Sequence, residues 1–272
     1  MIISSFIVPH SPILIPNIGK KNFSILKKTS EALMDIKNKI IEEKIDTIVI
    51  ISPHLPKNLD ISINNHFQFA INFEEFGDYS NKTTLKGDLN LSYRLKEVAE
   101  PDFWPILKAD TKSDYGANIP LFLLTTEAKQ KSKEFKGRVI IINTSKEKDL
   151  QYHFDFGQKI SSEIHQHQDR VAVIASAELS HCLNYNSPGG FYQKAILFDE
   201  KTIENIKKGS AGIENLIKTD PKLSSDAKEC GLRPIVLLSG IINSLQYQPE
   251  TMVYQKELGV GYLTMNMGLK NN

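Results

Sequence analysis

This chain of 272 residues has few cysteines, one tryptophan and almost no net charge. It contains two cysteines, Cys182 and Cys230, which are too few for a disulfide framework and are typical of a protein from a reducing compartment. Its 33 basic and 32 acidic residues nearly cancel, leaving a formal net charge of +1. Because there is no large positive excess to attract phosphates, the composition does not favour a nucleic-acid-binding protein.

Long apolar runs and targeting signals are missing as well. No window approaches the roughly 18 consecutive apolar residues that a bilayer-spanning helix needs. The first residues are apolar but lack a basic leader and a small-residue cleavage site, so we expect no signal peptide. Neither a GxGxxG nor a Walker phosphate loop is present. We therefore expect a cytoplasmic protein without a membrane or nucleic-acid partner.

Two of the seven histidines stand just after the end of an apolar run. The run Ile2 to Val8 stops at Pro9-His10, and the run Thr47 to Ile51 stops at Ser52-Pro53-His54. Short β-branched runs bounded by proline are typical of buried strands. Both imidazoles are therefore predicted beyond strand ends, where open α/β sheets bind their ligands. The two interpretations are a metal site and a pair of histidines that merely cap their strands.

The order of elements predicts an α/β fold. Apolar residues recur at helical spacing over 22–44, so the two strands and this helix form a βαβ unit that brings both histidines to one edge. We expect a single domain over 1–272, with a central, mostly parallel, mixed sheet flanked by helices and an elaboration at about 57–113. Further helices are predicted at 118–129, 154–165, 191–208, 213–218 and 235–245, and strands at 138–143, 171–176, 252–255 and 261–265.

Three further residues could carry chemistry at the same edge. His181 follows the strand 171–176 and is either an acid/base or a loop histidine. Glu178 is either a hydrogen-bond partner of a site residue or a solvated loop acid, and the sequence favours the solvated acid. Glu229 precedes an apolar helix, where an acid is favoured by the helix dipole. If Glu229 faces the crevice, it completes a two-histidine, one-carboxylate triad for Fe(II). Cys230 is the competing ligand, since thiolates also bind metals.

Four ordered motifs together resemble the catalytic subunits of class III extradiol ring-cleavage dioxygenases. They are Val8-Pro9-His10-Ser11-Pro12-Ile13-Leu14-Ile15-Pro16, Ile50-Ile51-Ser52-Pro53-His54, Ser176-Ala177-Glu178-Leu179-Ser180-His181 and Glu229-Cys230-Gly231-Leu232-Arg233-Pro234. The resemblance implies non-haem Fe(II) held by His10, His54 and Glu229, with Zn or Cu as other metals. It also implies a catechol-like aromatic diol and dioxygen as substrates, with His181 as the acid/base.

This chain departs from the family pattern at three places. Ala177-Glu178 stands where the family has Gly-Asp, and Tyr115 stands where it has a second active-site histidine. A phenol with a pKa of about 10 donates hydrogen bonds but is a poor base at neutral pH. In Memo-like relatives a cysteine before glycine is the third ligand, an option that Cys230 keeps open.

The resulting prediction is an extradiol dioxygenase. The alternatives are a Memo-like metal-binding or partner-binding protein without ring cleavage and a structural relative without metal. A homodimer and a small helical partner subunit are both compatible with the family.

Overall fold

The apolar runs of the sequence form the middle of a ten-stranded mixed sheet in the computed structural model, which describes residues 1–54, 60–110, 113–126 and 135–270. The strands are β1 (Ile2–Val8), β2 (Thr47–Ser52), β3 (Ser62–Asn64), β4 (Gln68–Phe73), β5 (Asp78–Gly87), β6 (Ile106–Lys108), β7 (Arg138–Asn143), β8 (Val171–Ser176), β9 (Glu250–Gln255) and β10 (Tyr262–Asn266). The helices are α1 (Pro16–Gly19), α2 (Lys27–Glu42), α3 (Leu89–Ala99), α4 (Tyr115–Thr125), α5 (Leu150–Gln166), α6 (Ala195–Lys207), α7 (Ile213–Ile217), α8 (Pro221–Ala227) and α9 (Leu232–Ile242).

Eight strands follow the order β4-β5-β7-β2-β8-β1-β10-β9, and β3 adds to this path by pairing with β7 and with β6. The strands from β5 to β1 pair in parallel. The predicted α/β fold with a mostly parallel mixed sheet flanked by helices is therefore confirmed. Strand β8 lies between β1 and β2, so the two histidine-bearing strands run in the same direction without being neighbours. Their carboxyl ends, with those of β7 and β8, form one edge, which we call the C-edge.

Both faces of the central strands are buried, which explains why these strands read as continuous apolar runs. Val49 and Ile51 of β2 pack into the core under α3, α5 and α9, while Ile48 and Ile50 pack into the core under α2 and α4. Helix α2 is preceded by a 3-10 segment, Lys20–Leu26, which overlaps the start of the range 22–44 predicted to be helical. The sheet thus gives the C-edge a rigid support.

The predicted elaboration contributes strands to the same sheet. Strands β4 and β5 form an antiparallel hairpin that turns at Gly77, which has a left-handed φ of 77°. The segment 77–81 has a composition typical of a loop, but the turn is confined to Gly77, because Asp78 begins β5. Residues 57–59, 111–112 and 127–129 of the predicted elements lie outside the described residues.

Helix lengths bear on membrane association. In the described part of the chain, no helix combines the length and the apolar character needed to cross a bilayer.

Candidate metal centre

His10 is fixed at the C-edge by a chain of two hydrogen bonds. The residue is buried, with 1% of its surface exposed, and its Nδ1 lies 2.9 Å from Oγ of Ser176. The Ser176 hydroxyl donates its one proton to the carbonyl of Gly116. Nδ1 of His10 must therefore be the donor to Ser176, which leaves Nε2 without a proton. A neutral imidazole with a free Nε2 is the form that binds metals.

His54 meets His10 across the site. The two Nε2 atoms are 3.0 Å apart, and the rings are nearly perpendicular, at 87°. Burial, assisted by the nearby His10, lowers the pKa of His54 to about 3, and burial also lowers the pKa of His10. Both rings are therefore neutral at physiological pH. The prediction that the two histidines lie at one edge is confirmed by their positions.

Cys230 completes the group. Its Sγ lies 3.4 Å from Nε2 of His10, and the ligand atoms of His10, His54 and Cys230 all lie within 4.8 Å of one another. Metal–nitrogen bonds of about 2.0–2.1 Å and a metal–sulfur bond of about 2.3 Å place tetrahedral ligands about 3.3 Å (N to N) and about 3.6 Å (N to S) apart. The observed separations are slightly shorter, so these residues fit a single cation.

Glu229 lies next to Cys230 in sequence but is engaged elsewhere. Its Oε1 accepts a 2.7 Å hydrogen bond from the Ser224 hydroxyl, and its Oε2 accepts a 2.7 Å bond from the backbone N–H of Leu232. The carboxylate, which precedes α9, therefore accepts one of the otherwise unpaired N–H groups at the start of that helix. The structure brings Cys230, the competing ligand, to the histidine pair and leaves Glu229 outside the group.

Glu178 and His181 form a second pair beside this group. Nε2 of His181 lies 3.1 Å from Oε2 of Glu178, and the same oxygen is 3.9 Å from Nε2 of His10. The interpretation of Glu178 as a solvated acid is wrong, because its surface is 7% exposed. Burial alone would raise the pKa of Glu178, but the adjacent imidazoles of His10 and His181, the second through a hydrogen bond, outweigh burial and lower it. Burial is likewise outweighed at His181, whose pKa is raised by Glu178.

Tyr115 is the first residue of α4 and stacks on His54. The ring centroids are 4.4 Å apart with an interplanar angle of 28°, and the Tyr115 ring is 5.9 Å from that of His10. Burial, and then the nearby Cys230, raises the pKa of this phenol well above its ordinary value. Tyr115 therefore stays protonated and acts as a wall of the site. Its catalytic role remains a prediction.

Three polar residues stabilise the site through hydrogen bonds to Asp114 and His10. The sequence analysis did not assign these residues to the site. Ser52, Asn143 and Ser176 are the last residues of β2, β7 and β8, respectively. Ser52 and Asn143 donate hydrogen bonds of 2.5 and 2.7 Å to the carboxylate of Asp114, which caps α4. The sequence did contain a signal for these residues, because each of the three apolar runs ends in a polar residue.

The start of α4 is packed so closely that residue 116 must be glycine. A Cβ on Gly116 would lie 2.6 Å from Oγ of Ser52 and 2.9 Å from Cδ2 of His54. The glycine thus allows Tyr115 and the Gly116 carbonyl to approach both histidines.

Comparisons with known proteins show the family of this chain. Residues 4–264 match the family described as the catalytic LigB subunit of aromatic ring-opening dioxygenase, and the chain belongs to that family. Protein CA_C1420 of Clostridium acetobutylicum is 25% identical over 278 residues, covering 98% of this chain and 58% of that protein. The chain thus spans little more than half the length of this relative.

A similar fold occurs in a solved structure. The crystal structure of the uncharacterized protein JW3007 from Escherichia coli K12 aligns with a TM-score of 0.69 at 17% sequence identity. The alignment covers 97% of this chain and 99% of that one. At this level of identity the similarity establishes the fold alone.

Proposed function

We propose that this protein binds a metal through a His10–His54–Cys230 centre. The observation that carries the proposal is the position of the Cys230 sulfur, which lies 3.4 Å from the unprotonated Nε2 of His10. The Glu229 carboxylate instead accepts a hydrogen bond from the first N–H of α9. Two neutral imidazoles and a thiolate suit Zn or Cu, whereas the non-haem Fe(II) triad uses a carboxylate. A bound cation would act as a Lewis acid or redox partner toward a small ligand.

Residues around the proposed centre orient its ligands and set their protonation. Ser176 sets the tautomer of His10, and Asp114 fixes the start of α4, which carries Tyr115 against His54. Burial, with the charge of Glu178 added, raises the pKa of the Cys230 thiol well above its ordinary value. A cation reverses this preference, because coordination stabilises the thiolate. Metal binding should therefore release a proton from Cys230.

The second candidate function is ring opening of a catechol-like diol, which family membership and the Glu178–His181 pair support. Nδ1 of His181 has no hydrogen-bond partner among the described residues, and its Nε2 is held by Glu178. An imidazole oriented in this way can accept a proton from a diol hydroxyl and return it later. Tyr115 would add a hydrogen-bond donor, since its phenol is protonated.

Metal content tests the proposed centre. Protein purified without chelators should carry about one cation of Zn or Cu per chain by elemental analysis, and His10→Ala and His54→Ala should each lose it, because each removes one of the three protein ligands. His165→Ala, at an exposed helix position, is the matched control. A metal-free wild-type chain that also fails to bind Zn or Cu on loading would contradict the proposal, as would full occupancy in both variants.

Turnover tests ring opening separately. After anaerobic loading with Fe(II), catechols of varied side chain are supplied with dioxygen, while oxygen uptake and the yellow ring-opened product are followed. If the second candidate is right, His181→Gln should lower kcat by about 100-fold or more without changing metal content, since general acid–base catalysis contributes that much. Fully loaded protein that consumes no oxygen with any diol would exclude this activity while leaving the metal centre intact.

A further inference from the structure

Asp199 is a buried carboxylate that forms no ion pair among the described residues. It lies on α6 and has no exposed surface. Its Oδ1 accepts a 2.8 Å hydrogen bond from the backbone N–H of Ser180, and its Oδ2 accepts a 2.6 Å hydrogen bond from the Tyr254 hydroxyl. Burial raises the pKa of Asp199 to about 6, so the group is mostly ionised at neutral pH. Ionised side chains are rarely buried without a cationic partner, because the charge loses its hydration.

Gly261 packs against this carboxylate and against the segment that follows β8. A Cβ on Gly261 would collide with Oδ2 of Asp199, so a larger residue here would push the carboxylate aside. The Gly261 carbonyl accepts a 2.9 Å hydrogen bond from the N–H of Leu179, and its N–H donates to the Ser180 carbonyl at 2.8 Å. Leu179 and Ser180 are therefore held between Gly261 and Asp199.

Leu179 and Ser180 connect the two residues of the proton-transfer pair. Glu178 precedes them and His181 follows them, and Nε2 of His181 lies 3.1 Å from Oε2 of Glu178. Because only two residues link the pair, their backbone conformation decides whether the imidazole reaches the carboxylate. Asp199 binds the amide of Ser180, within this link. It can therefore set the geometry of the pair through the backbone.

The charge of Asp199 strengthens its hold on Ser180. Asparagine has a similar shape and also offers an oxygen to the Ser180 amide, at a lower cost of burial. A hydrogen bond to an ionised acceptor is, however, roughly twice as strong as one between neutral groups. The carboxylate accepts two such bonds from distant parts of the chain, one from Ser180 after β8 and one from Tyr254 on β9. It therefore holds the Ser180 amide more firmly than a neutral side chain would.

We propose that Asp199 is a positioning residue that holds the His181 imidazole against Glu178 through the Ser180 amide. The proposal rests on the second candidate function, in which Nδ1 of His181 takes a proton from a diol hydroxyl and later returns it. Asp199 moves no proton in this scheme. It keeps the accepting nitrogen in place while Glu178 holds the other nitrogen of the ring. Tyr254 fixes the carboxylate from β9.

The first test is a double-mutant cycle on stability, which does not require activity. Asp199→Ala and His181→Gln are made singly and together, and urea unfolding gives an equilibrium constant for each protein. The combined effect on this constant should differ from the product of the single effects by at least about fivefold, because residues that depend on each other couple to this extent. Asp199→Asn keeps an acceptor for the Ser180 amide and should couple to His181→Gln by less than about twofold.

Asp88 provides the matched control. Its carboxylate is also buried, with 6% of the residue exposed, but it caps α3 and contacts Thr47 at the start of β2, away from the C-edge. Asp88→Ala should destabilise the protein and act independently of His181→Gln, to within about twofold. If Asp199→Ala does not fold, Tyr254→Phe takes its place, because it removes a hydrogen bond to the same carboxylate. Its coupling to His181→Gln should be at least about threefold.

The second test is turnover of the iron-loaded protein with any diol that the wild type opens. Asp199→Ala should lower kcat by about tenfold or more and change KM by less than about twofold, since partners that orient a functional side chain commonly contribute about 10–100-fold. Rates are referred to folded, iron-loaded protein, so a loss of stability alone leaves kcat unchanged. Asp199→Asn should recover most of the loss, and Asp88→Ala should keep the wild-type kcat.

The outcomes separate this proposal from the function on which it rests. Independent effects of Asp199→Ala and His181→Gln on unfolding overturn the positioning role, whatever the turnover. An equal loss of kcat in Asp88→Ala also overturns it. If the wild type opens no diol, ring opening is excluded, and the unfolding cycle alone then decides whether Asp199 positions the imidazole.

Discussion

Replacing Cys230 with serine should weaken metal binding by at least about 100-fold, whereas Glu229→Gln should change it by less than about threefold. Loss of an outer partner of a metal site commonly costs 10–100-fold in affinity, and Cys230 is placed as a direct ligand. A serine hydroxyl does not ionise near neutral pH and is a poor donor to Zn or Cu(I). Glu229 contributes to α9 and not to the centre.

The measurement is a competition titration with a chelator of known affinity, using Zn for all three proteins. Unfolding curves accompany it, because Glu229→Gln removes part of a helix cap and should cost about 1 kcal/mol of stability. The opposite pattern, with affinity lost in Glu229→Gln and kept in Cys230→Ser, would restore the carboxylate triad and the Fe(II) assignment.

Acidification should destabilise the metal-free protein through His153, a buried histidine that is not one of the proposed metal ligands. Its Nδ1 donates to the carbonyl of Asp149 at 2.6 Å, and its Nε2 accepts from the N–H of Ser145 at 3.1 Å. The neutral ring is thus satisfied at both nitrogens, and a second proton would point at an N–H donor. Burial is the main cause that lowers the pKa of His153 to about 4.

The sign follows from proton linkage. Between pH 6.5, where an unfolded histidine titrates, and pH about 4, the unfolded chain binds a proton that the folded chain excludes, so stability falls as the pH falls. The shift corresponds to about 3 kcal/mol over this window and to about 2 kcal/mol between pH 7 and pH 5. His153→Gln can keep both hydrogen bonds but does not titrate.

Urea unfolding at pH 7 and pH 5 checks this prediction. The wild type should lose about 2 kcal/mol more than His153→Gln over that interval, whatever the variant costs at pH 7. Comparing the two proteins removes the contributions that other groups share, including His54. His165→Gln, at an exposed position, should follow the wild type. Equal losses in wild type and His153→Gln would show that this ring is not held neutral.

The sequence predicts the central strands to within one residue, because burial on both faces makes them continuous apolar runs. It does not predict β5, whose residues Asp78–Gly87 are mostly polar and become a strand only by pairing with β4. Helix α8 was also missed, although Asp220 before Pro221 is a standard start signal for a helix.

The sequence also predicts only part of the candidate site. The histidine positions follow from strand ends, which a sequence reveals. The choice between Glu229 and Cys230 does not, because neighbouring residues in a loop point in different directions. At Gly231 that loop packs closely against Ala177 and Glu178. A Cβ on Gly231 would lie 2.7 Å from the Cβ of Ala177 and 2.8 Å from the carbonyl oxygen of Glu178. Contacts with a segment fifty residues away thus decide which side chain enters the site.

The interior position of β1 has a consequence for how the protein is made. Strand β1 lies between β8 and β10, and both of these partners are synthesised much later than β1. Pairings between distant parts of a chain are slow to form. Until residue 266 has emerged, β1 has an uncovered edge, and His10 lacks the scaffold that aims it at a cation. Metal acquisition is therefore expected only after β8 and β10 have docked against β1.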